Sequence, residues 1–332
     1  MYKLYNITSR VTKVQGTGEE HTVRAEKEKK NTKIMTAAEA VSRFVANGAL
    51  VGMGGQTIGR CAMALIHEMV RQKKKDLTLV GCNLSVNMDL LVGAGLVKRT
   101  ECGTGNLERF GTTHAWRRFI EAGKLQNEDY SHLGMVSRFL AGEMGLPFMP
   151  IRSLIGTDIL NRHSSSTPHK YEIVNNPWDP HDRVALLPAI NPDVSIVHVQ
   201  KADEEGNLII EGFLTHEPEM IRASKVVIAS CEEIIPSDEI RKYPERTTIP
   251  YVYVHAVVPQ TWGAHPTSVY RYYQHDAEHL REYQKCAREG GPAFDAYLEK
   301  YIFACASFDE YLDKVGGLKK YNRLRQEMQK IL

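Results

Sequence analysis

Apolar residues in this chain recur in two rhythms, short unbroken runs and stripes at helical spacing, and the two alternate from residue 35 onward. "MTAAEAVSRFVANGALVGMGG" opens the ordered pattern. Thr36 and Glu39 stand at capping-box spacing, where hydroxyl and carboxylate each satisfy an orphan amide of a first helical turn. Ala40, Val41, Phe44 and Val45 form the stripe behind them, and Asn47-Gly48 supplies the stop. "ALVGM" (49–53) then predicts a short buried strand, "AMALIHEMVRQ" (62–72) a helix, "DLTLVGCNL" (76–84) a second strand and "VKRTECG" (97–103) a third. Longer helical segments are predicted within 113–124 and 127–145. Strand signals resume at "VSIVHVQ" (194–200), "KVVIAS" (225–230) and "YVYVHAVV" (251–258), β-branched and apolar as strands covered on both faces should be.

This alternation predicts an α/β fold, an open and mostly parallel sheet with helices on both faces. Residues 152–192, with "HSSSTPHK" and "NNPWDPHD", read as an excursion from it. After Asp276 the pattern is helical to the end, with breaks at Gly290-Gly291 and Gly316-Gly317. The expected organisation is a charged, flexible arm at 1–34, an α/β domain at 35–275, and a C-terminal helical segment at 276–332 packed on that domain. No internal repeat is present.

Composition narrows the class. Of 332 residues, 42% are hydrophobic and 25% charged, ordinary values for a globular protein. A net charge of +2 gives no concentrated basic face for nucleic acid. The six cysteines are scattered without a C-x-x-C pair, which argues against structural zinc and a disulfide framework and fits a reducing, cytoplasmic setting. No apolar run approaches the roughly 18 residues of a membrane span. In 1–34, eight basic side chains face four glutamates with no apolar core, unlike a secretory signal or an organelle transit peptide.

Candidate chemistry begins at Gly54. Glycine, four residues, glycine, a basic residue and a small polar one nearly spell a Walker A loop, but Arg60 and Cys61 occupy the lysine and hydroxyl positions. A dinucleotide fingerprint fails as well, because Thr57 stands where its third glycine belongs. What remains is Gly54-Gly55 between a strand end and a helix start, where backbone amides collect around anions. The competing reading is a turn that simply needs glycine.

Glu108, in the glycine-bounded "CGTGNLERFGTTHAWRR", reads equally as a base or nucleophile and as a glutamate at a helix start. "TWGAHPTSVY" (261–270) is a second loop after a strand, with His265 in a positioning or structural role. "HDAEH" (275–279) matches an inverted zinc-protease pattern, although solvated histidines on a helix face account for it better; no metal site is expected.

Taken together these residues resemble the A (α) chains of the family I CoA-transferases, especially the glutaconate CoA-transferase branch. The matching features are Asn47-Gly48, "ALVGM", Gly54, Gly55, Gln56, Arg60 and Ala62, with Gln56 in place of the usual phenylalanine and Ala62 in place of the usual proline. "EAGKLQNEDYS", "MGLPFMPIRS", "NNPWDPHDRVALLPAINPDVSIVHVQKADEEGNL", "CEEIIPSDEIR" and "VVPQTWGAHPTSVY" extend the resemblance to about residue 315. The arm lies outside it.

The resemblance implies that this chain is an alpha subunit whose partner is a homologous beta subunit, in a heterotetramer or larger. It also implies a coenzyme A thioester for substrate, with no bound cofactor. The catalytic glutamate then lies in a serine-glutamate-asparagine-glycine motif of the partner, and this chain contains no S-E-N-G. By that chemistry the carboxylate attacks the acyl-CoA and forms a mixed anhydride with release of CoA thiolate, which then attacks the glutamyl carbonyl to give an enzyme–CoA thioester and frees the first acid. An acceptor acid then reverses the steps, each through a tetrahedral oxyanion. Gly54, Gly55, Gly263, Ala264 and His265 are the expected contributors to that pocket. Gln56 points to a polar or carboxylated acyl group, and Arg60 to a distal carboxylate of a dicarboxylic acid such as glutaconate. "LERFG" resembles instead a loop of ring-opening CoA-ester hydrolases, relatives that share the two-subunit fold with CoA-ester decarboxylases. Under that alternative Glu108 is catalytic. A third expectation is a non-catalytic acyl-CoA-binding protein on the same fold.

Overall fold

The computed structural model describes residues 32–161 and 170–332; the expected arm falls outside the described residues up to 31, as do seven residues of "HSSSTPHK". Residues 33–332 form one compact unit. Its first half alternates strand and helix: α1 (Ala37–Phe44), β1 (Leu50–Met53), α2 (Met63–Arg71), β2 (Leu77–Leu84), α3 (Val86–Gly93), β3 (Val97–Gly105), α4 (His114–Glu121), β4 (Gln126–Asp129) and α5 (His132–Glu143). Next come β5 (Phe148–Ile151), β6 (Glu172–Asn176), β7 (Asp179–Pro188), β8 (Val194–Ala202), β9 (Leu208–Ile209), α6 (Glu217–Ala223), β10 (Val227–Ile234), α7 (Ser237–Lys242) and β11 (Ala256–Pro259). Helices α8 (Ala277–Glu289), α9 (Gly291–Leu298), α10 (Phe308–Val315) and α11 (Gly317–Gln329) complete the chain.

The main sheet runs β11-β10-β8-β1-β2-β3-β4, every neighbouring pair parallel, with β9 antiparallel on β8. Strand alternation sends successive side chains into two cores, one on each face. Along β8, Val194 and Ile196 join the core built from α1, α2, α3 and the C-terminal helices. Val197 and Val199 join the other, built from α5 and α6. The C-terminal segment belongs to the first core through Tyr283, Phe294, Tyr297, Tyr301 and Tyr311. Before α1, Ile34 pairs with Val257 on the β11 edge, so the ordered pattern reaches slightly upstream of Met35.

Local chemistry accounts for the element ends. The capping box of Thr36 and Glu39 is formed in full. Asp276 caps α8 through the amides of Glu278 and His279, and Gly290 and Gly316 adopt positive φ at the two expected breaks. Differences from expectation occur where burial is one-sided. Residues 126–129 form an edge strand instead of the start of a helix: the polar "QNED" is carried by its ladder with β3, which buries Glu128 beside Arg99 at 3.7 Å and Lys170 at 3.5 Å. Residues 251–253 form a 3-10 turn after Pro250, so β11 is shorter than the apolar run. The expected excursion carries β6 and β7, which join β5 just before it in a three-stranded antiparallel sheet, β5-β7-β6, whose hairpin tip exposes Trp178.

Candidate functional site

A pocket of about 320 Å³ opens at the carboxyl ends of the strands, lined by Gln56–Arg60, Glu108, Glu211, Phe213, Ser268 and Tyr270. In open α/β sheets this edge is where ligands bind. A larger groove of about 720 Å³ runs along Ile34–Arg43 and Gln72, away from the strand ends and without a constellation suited to thioester chemistry.

The glycine loop leaves β1 in a tight coil, with Gly55, Thr57 and Arg60 all in the left-handed region (φ +86°, +46° and +55°). Gly54 and Gly55 are buried, and the space around them is full. A Cβ on Gly54 would stand 2.7 Å from Val197 Cγ1, and one on Gly55 2.8 Å from the Arg60 carbonyl oxygen. Their amides are already engaged: Gly54 N–H donates to the Ile196 carbonyl at 2.9 Å, and Gly55 N–H to Glu217 Oε1 at 3.0 Å. Their part in shaping the pocket is therefore close packing, and the expected pair of oxyanion donors is not presented by them. Among the amides from Gly54 to Cys61, that of Ile58 alone meets no partner among the described residues.

Arg60 lines the pocket without a free charge. Its guanidinium holds Glu217 with two bonds, at 2.8 and 2.5 Å, and also donates to the carbonyls of His198 (3.2 Å) and Phe213 (3.3 Å). Burial alone would raise the Glu217 carboxyl, but the Arg60 charge and hydrogen bonds outweigh it and hold the group below its ordinary value. The guanidinium expected to meet a substrate carboxylate thus meets an internal one. Cys61, next in the chain, is a buried thiol pushed up to about 12 by desolvation.

Glu108 sits in a 3-10 turn with φ +54°, exposed, on the same pocket as the glycine loop. Its loop is fixed on several sides. Asn106 Oδ1 accepts from Glu108 N–H at 2.9 Å, Thr113 Oγ1 bonds the Gly105 carbonyl at 3.1 Å, and Gln284 Nε2 bonds the Phe110 carbonyl. A non-glycine residue in this conformation is costly, and such strain clusters at working sites.

The "TWGAHP" loop lies behind the pocket and contributes no residue to its lining. Gly263 N–H donates to the Gln260 carbonyl, and Ala264 N–H to the Tyr273 hydroxyl at 3.2 Å. His265 is fully buried between Tyr311 (2.7 Å) and Asp276 (3.1 Å), with desolvation lowering its pKa against the pull of Asp276. These residues hold a loop; Ser268 and Tyr270, a few positions on, reach the pocket instead. His275 precedes α8 and takes a bond from Arg109 at 2.6 Å, while His279 bonds Tyr297 at 2.9 Å. The metal-like pattern is therefore divided between two partners, and no cluster able to hold a metal occurs among the described residues.

Two sets of residues escaped the sequence reading. Glu211, Phe213 and Glu217 come from "EGFLTHEPE", whose one signal is an acidic residue before proline at a helix start. Glu232 is buried on the carboxyl end of β10, where it accepts from Tyr273 (2.6 Å), from the Trp262 amide (2.7 Å) and bonds His198 (2.8 Å), pinning the 260–265 loop to the sheet.

Comparison with known proteins places this arrangement. Residues 34–260 match the family model described as Coenzyme A transferase. An uncharacterized protein of Archaeoglobus fulgidus is 40% identical over 89% of this chain, which spans 64% of that relative's length. The A chain of glutaconate CoA-transferase from Acidaminococcus fermentans is 33% identical over 88% of this chain and 94% of its own. The corresponding A chain of 3-oxoadipate CoA-transferase from Pseudomonas knackmussii is 31% identical, covering 85% of this chain and 98% of its own. Among solved structures, the A. fermentans glutaconate coenzyme A-transferase superposes with a TM-score of 0.84 at 31% identity, over 88% of this chain and 95% of the other. A variant of the decarboxylase AibA/AibB gives 0.71, also at 31% identity, over 81% and 98%. No helix among the described residues is long and apolar enough to cross a membrane. A glycine loop packed against β8, at the carboxyl edge of a parallel sheet that superposes along most of its length on such an enzyme, has one family to answer to: the chain belongs to the coenzyme A transferases, among their α-type chains.

Proposed function

We propose that this chain is the α subunit of a heteromeric CoA-transferase, which moves coenzyme A between an acyl-CoA and an acceptor carboxylic acid. Near-full-length similarity to the α-type chain of a glutaconate transferase is the observation that carries the reading. The nucleophilic glutamate comes from a homologous β subunit, in a heterotetramer or larger. That carboxylate takes the acyl group as a mixed anhydride while CoA leaves as thiolate; the thiolate then attacks the glutamyl carbonyl, and the first carboxylic acid departs. The acceptor acid runs the sequence backwards. The CoA thioester enters as substrate and not as a resident cofactor. On this chain's side the Ile58 amide is the candidate oxyanion donor, because its neighbours' N–H groups are engaged. Relatives named for glutaconate and 3-oxoadipate support a dicarboxylic or related acyl group. Among the described residues the six cysteines are free thiols, which supports a reducing, cytoplasmic setting.

A second reading rests on Glu108. It faces the pocket, and the decarboxylase AibA/AibB shares this fold at a similar identity. Under it the complex is a CoA-ester hydrolase or lyase with Glu108 as base or nucleophile. Incubating the complex with an acyl-CoA and acetate separates the two. Transfer yields acetyl-CoA with total thioester constant, whereas the alternative consumes thioester or releases CO₂. Glu108→Ala leaves substantial exchange under the first and abolishes turnover under the second. Net thioester loss or CO₂ release that disappears in Glu108→Ala, or a partner chain lacking S-E-N-G, overturns the transferase assignment. Binding without turnover across a broad acyl-CoA panel leaves a non-catalytic binding protein.

A further inference from the structure

We infer that Gln56 is the specificity-determining residue of the pocket, and that its carboxamide reads an oxygen function on the acyl chain beyond the thioester carbonyl. The inference rests on the transferase reading and adds what that reading leaves open, namely which group recognises the acyl tail.

Most polar groups of the pocket wall are already engaged. Arg60 is engaged by Glu217 and by two backbone carbonyls, so it has no charge to offer a ligand. Ser268 Oγ bonds the Ile58 carbonyl at 3.3 Å, and the Tyr270 side chain is joined to Arg271. Glu211 is met by Arg271 at 3.3 Å and Lys201 at 3.8 Å. Glu108 is a carboxylate, a group that repels a second one. Gln56 differs from all of these. Its backbone is locked by reciprocal bonds with Gly59, N–H to carbonyl in both directions at 2.8 and 2.7 Å. The end of its side chain is not: Oε1 is buried and meets no hydrogen-bond partner.

A buried carboxamide oxygen without a donor is rare, because water's hydrogen bonds have been given up and nothing replaces them. A carboxamide also serves either kind of ligand. By rotating half a turn it presents an N–H to a carbonyl or carboxylate, or an oxygen to a hydroxyl. A site with a polar group held in waiting discriminates against a ligand lacking the matching atom, since binding then leaves the group unpaired. An apolar side chain at position 56 would instead welcome a hydrocarbon tail. The aromatic faces of Phe213 and Tyr270 complete the pocket, favouring a tail whose remainder is hydrocarbon.

The test uses the enzyme complex with three acids of matched length: pentanoate, 4-oxopentanoate and glutarate. CoA transfer to each is followed, and binding of the three corresponding CoA thioesters is measured by calorimetry. Wild type is expected to favour at least one oxygen-bearing tail over pentanoate by about tenfold or more in kcat/KM, and the two arms tell a carbonyl from a carboxylate. Gln56→Met, nearly isosteric but unable to donate or accept strongly, removes that preference by lowering transfer to the oxygen-bearing acids relative to pentanoate. Gln56→Glu, the second variant, lowers glutarate further than 4-oxopentanoate. A wild-type preference for pentanoate, or an unchanged ratio in Gln56→Met, overturns the assignment even though transfer proceeds. If no acid accepts CoA but the oxygen-bearing thioesters bind more tightly and Gln56→Met abolishes the difference, the transferase reading falls and the role of Gln56 stands.

Discussion

Glu217→Ala should be among the most damaging single substitutions in the chain, for reasons that can be worked from the geometry. The Glu217 side chain is fully buried and that of Arg60 is 8% exposed. Removing the carboxylate strands a guanidinium in a low-dielectric interior, which costs roughly 3–5 kcal/mol. It also orphans the Gly55 N–H, for about 1–3 kcal/mol more if the loop does not relax. Since a folded domain has only about 5–15 kcal/mol in total, the expected loss is a large fraction of it. At roughly 2–4 °C per kcal/mol the thermal transition should fall by about 8–32 °C. Thermal and urea unfolding followed by circular dichroism measure this directly. Arg117→Ala, which breaks a fully exposed pair with Glu121, serves as the control and should leave the transition in place. Replacing both Arg60 and Glu217 by methionine should recover much of the loss, because no buried charge is then left alone. The pH dependence has a definite sign. The Glu217 carboxyl is held below its ordinary value, so its stabilisation is present above the unfolded value of about 4.3 and disappears as pH falls through the folded one. The wild-type advantage over the double-methionine variant should therefore shrink on acidification below about pH 4.3. A Glu217→Ala transition indistinguishable from that of Arg117→Ala would refute the reasoning.

Three further outcomes follow from local geometry. Gly52→Ala would put a Cβ 2.1 Å from Ser195 Oγ and 2.9 Å from Met220 Sδ, so urea unfolding should show a loss of about 1–3 kcal/mol from overpacking. Glu232→Gln keeps the shape but not the charge that Trp262, Tyr273 and His198 share, and should cost about 1–3 kcal/mol. Because Trp262 stacks on Tyr273 at 4.1 Å, a red shift of tryptophan emission reports the loosened loop. Thr36→Ala removes half of the capping box and should lower stability by about 1 kcal/mol in the same unfolding assay.

The central parallel strands were legible because they are buried on both faces, and that requirement writes itself into the chain as continuous apolar runs. "VSIVHVQ" feeds two separate cores, and no arrangement with one wet face would tolerate it. Helix ends were legible wherever a cap was local, as at Thr36 and Gly290. Elements sustained by a neighbour were not. "QNED" carries no strand signal, since its ladder with β3 and the burial of Glu128 among cations distant in sequence supply what its own residues lack. The β5-β7-β6 sheet is so exposed that its alternation is diluted by charges and proline.

At the site, residue types and their roles separated for one physical reason. Gly54-Gly55, Gln56, Arg60 and Glu108 stand out locally, and Gln56, Arg60 and Glu108 line one pocket. Whether a backbone amide or a guanidinium is available there depends on its other neighbours, and those lie far along the chain. Glu217 is 157 residues from Arg60 and 162 from Gly55, yet it takes hydrogen bonds from both. An arginine beside a glycine loop invites the inference of an anion outside the protein, whereas a buried guanidinium must be compensated before any ligand arrives. The internal carboxylate meets that demand in the free protein and ties the loop to α6. Recognition then falls to a neutral side chain that can remain unpaired at far lower cost than a charge, and Gln56 is the residue in that position.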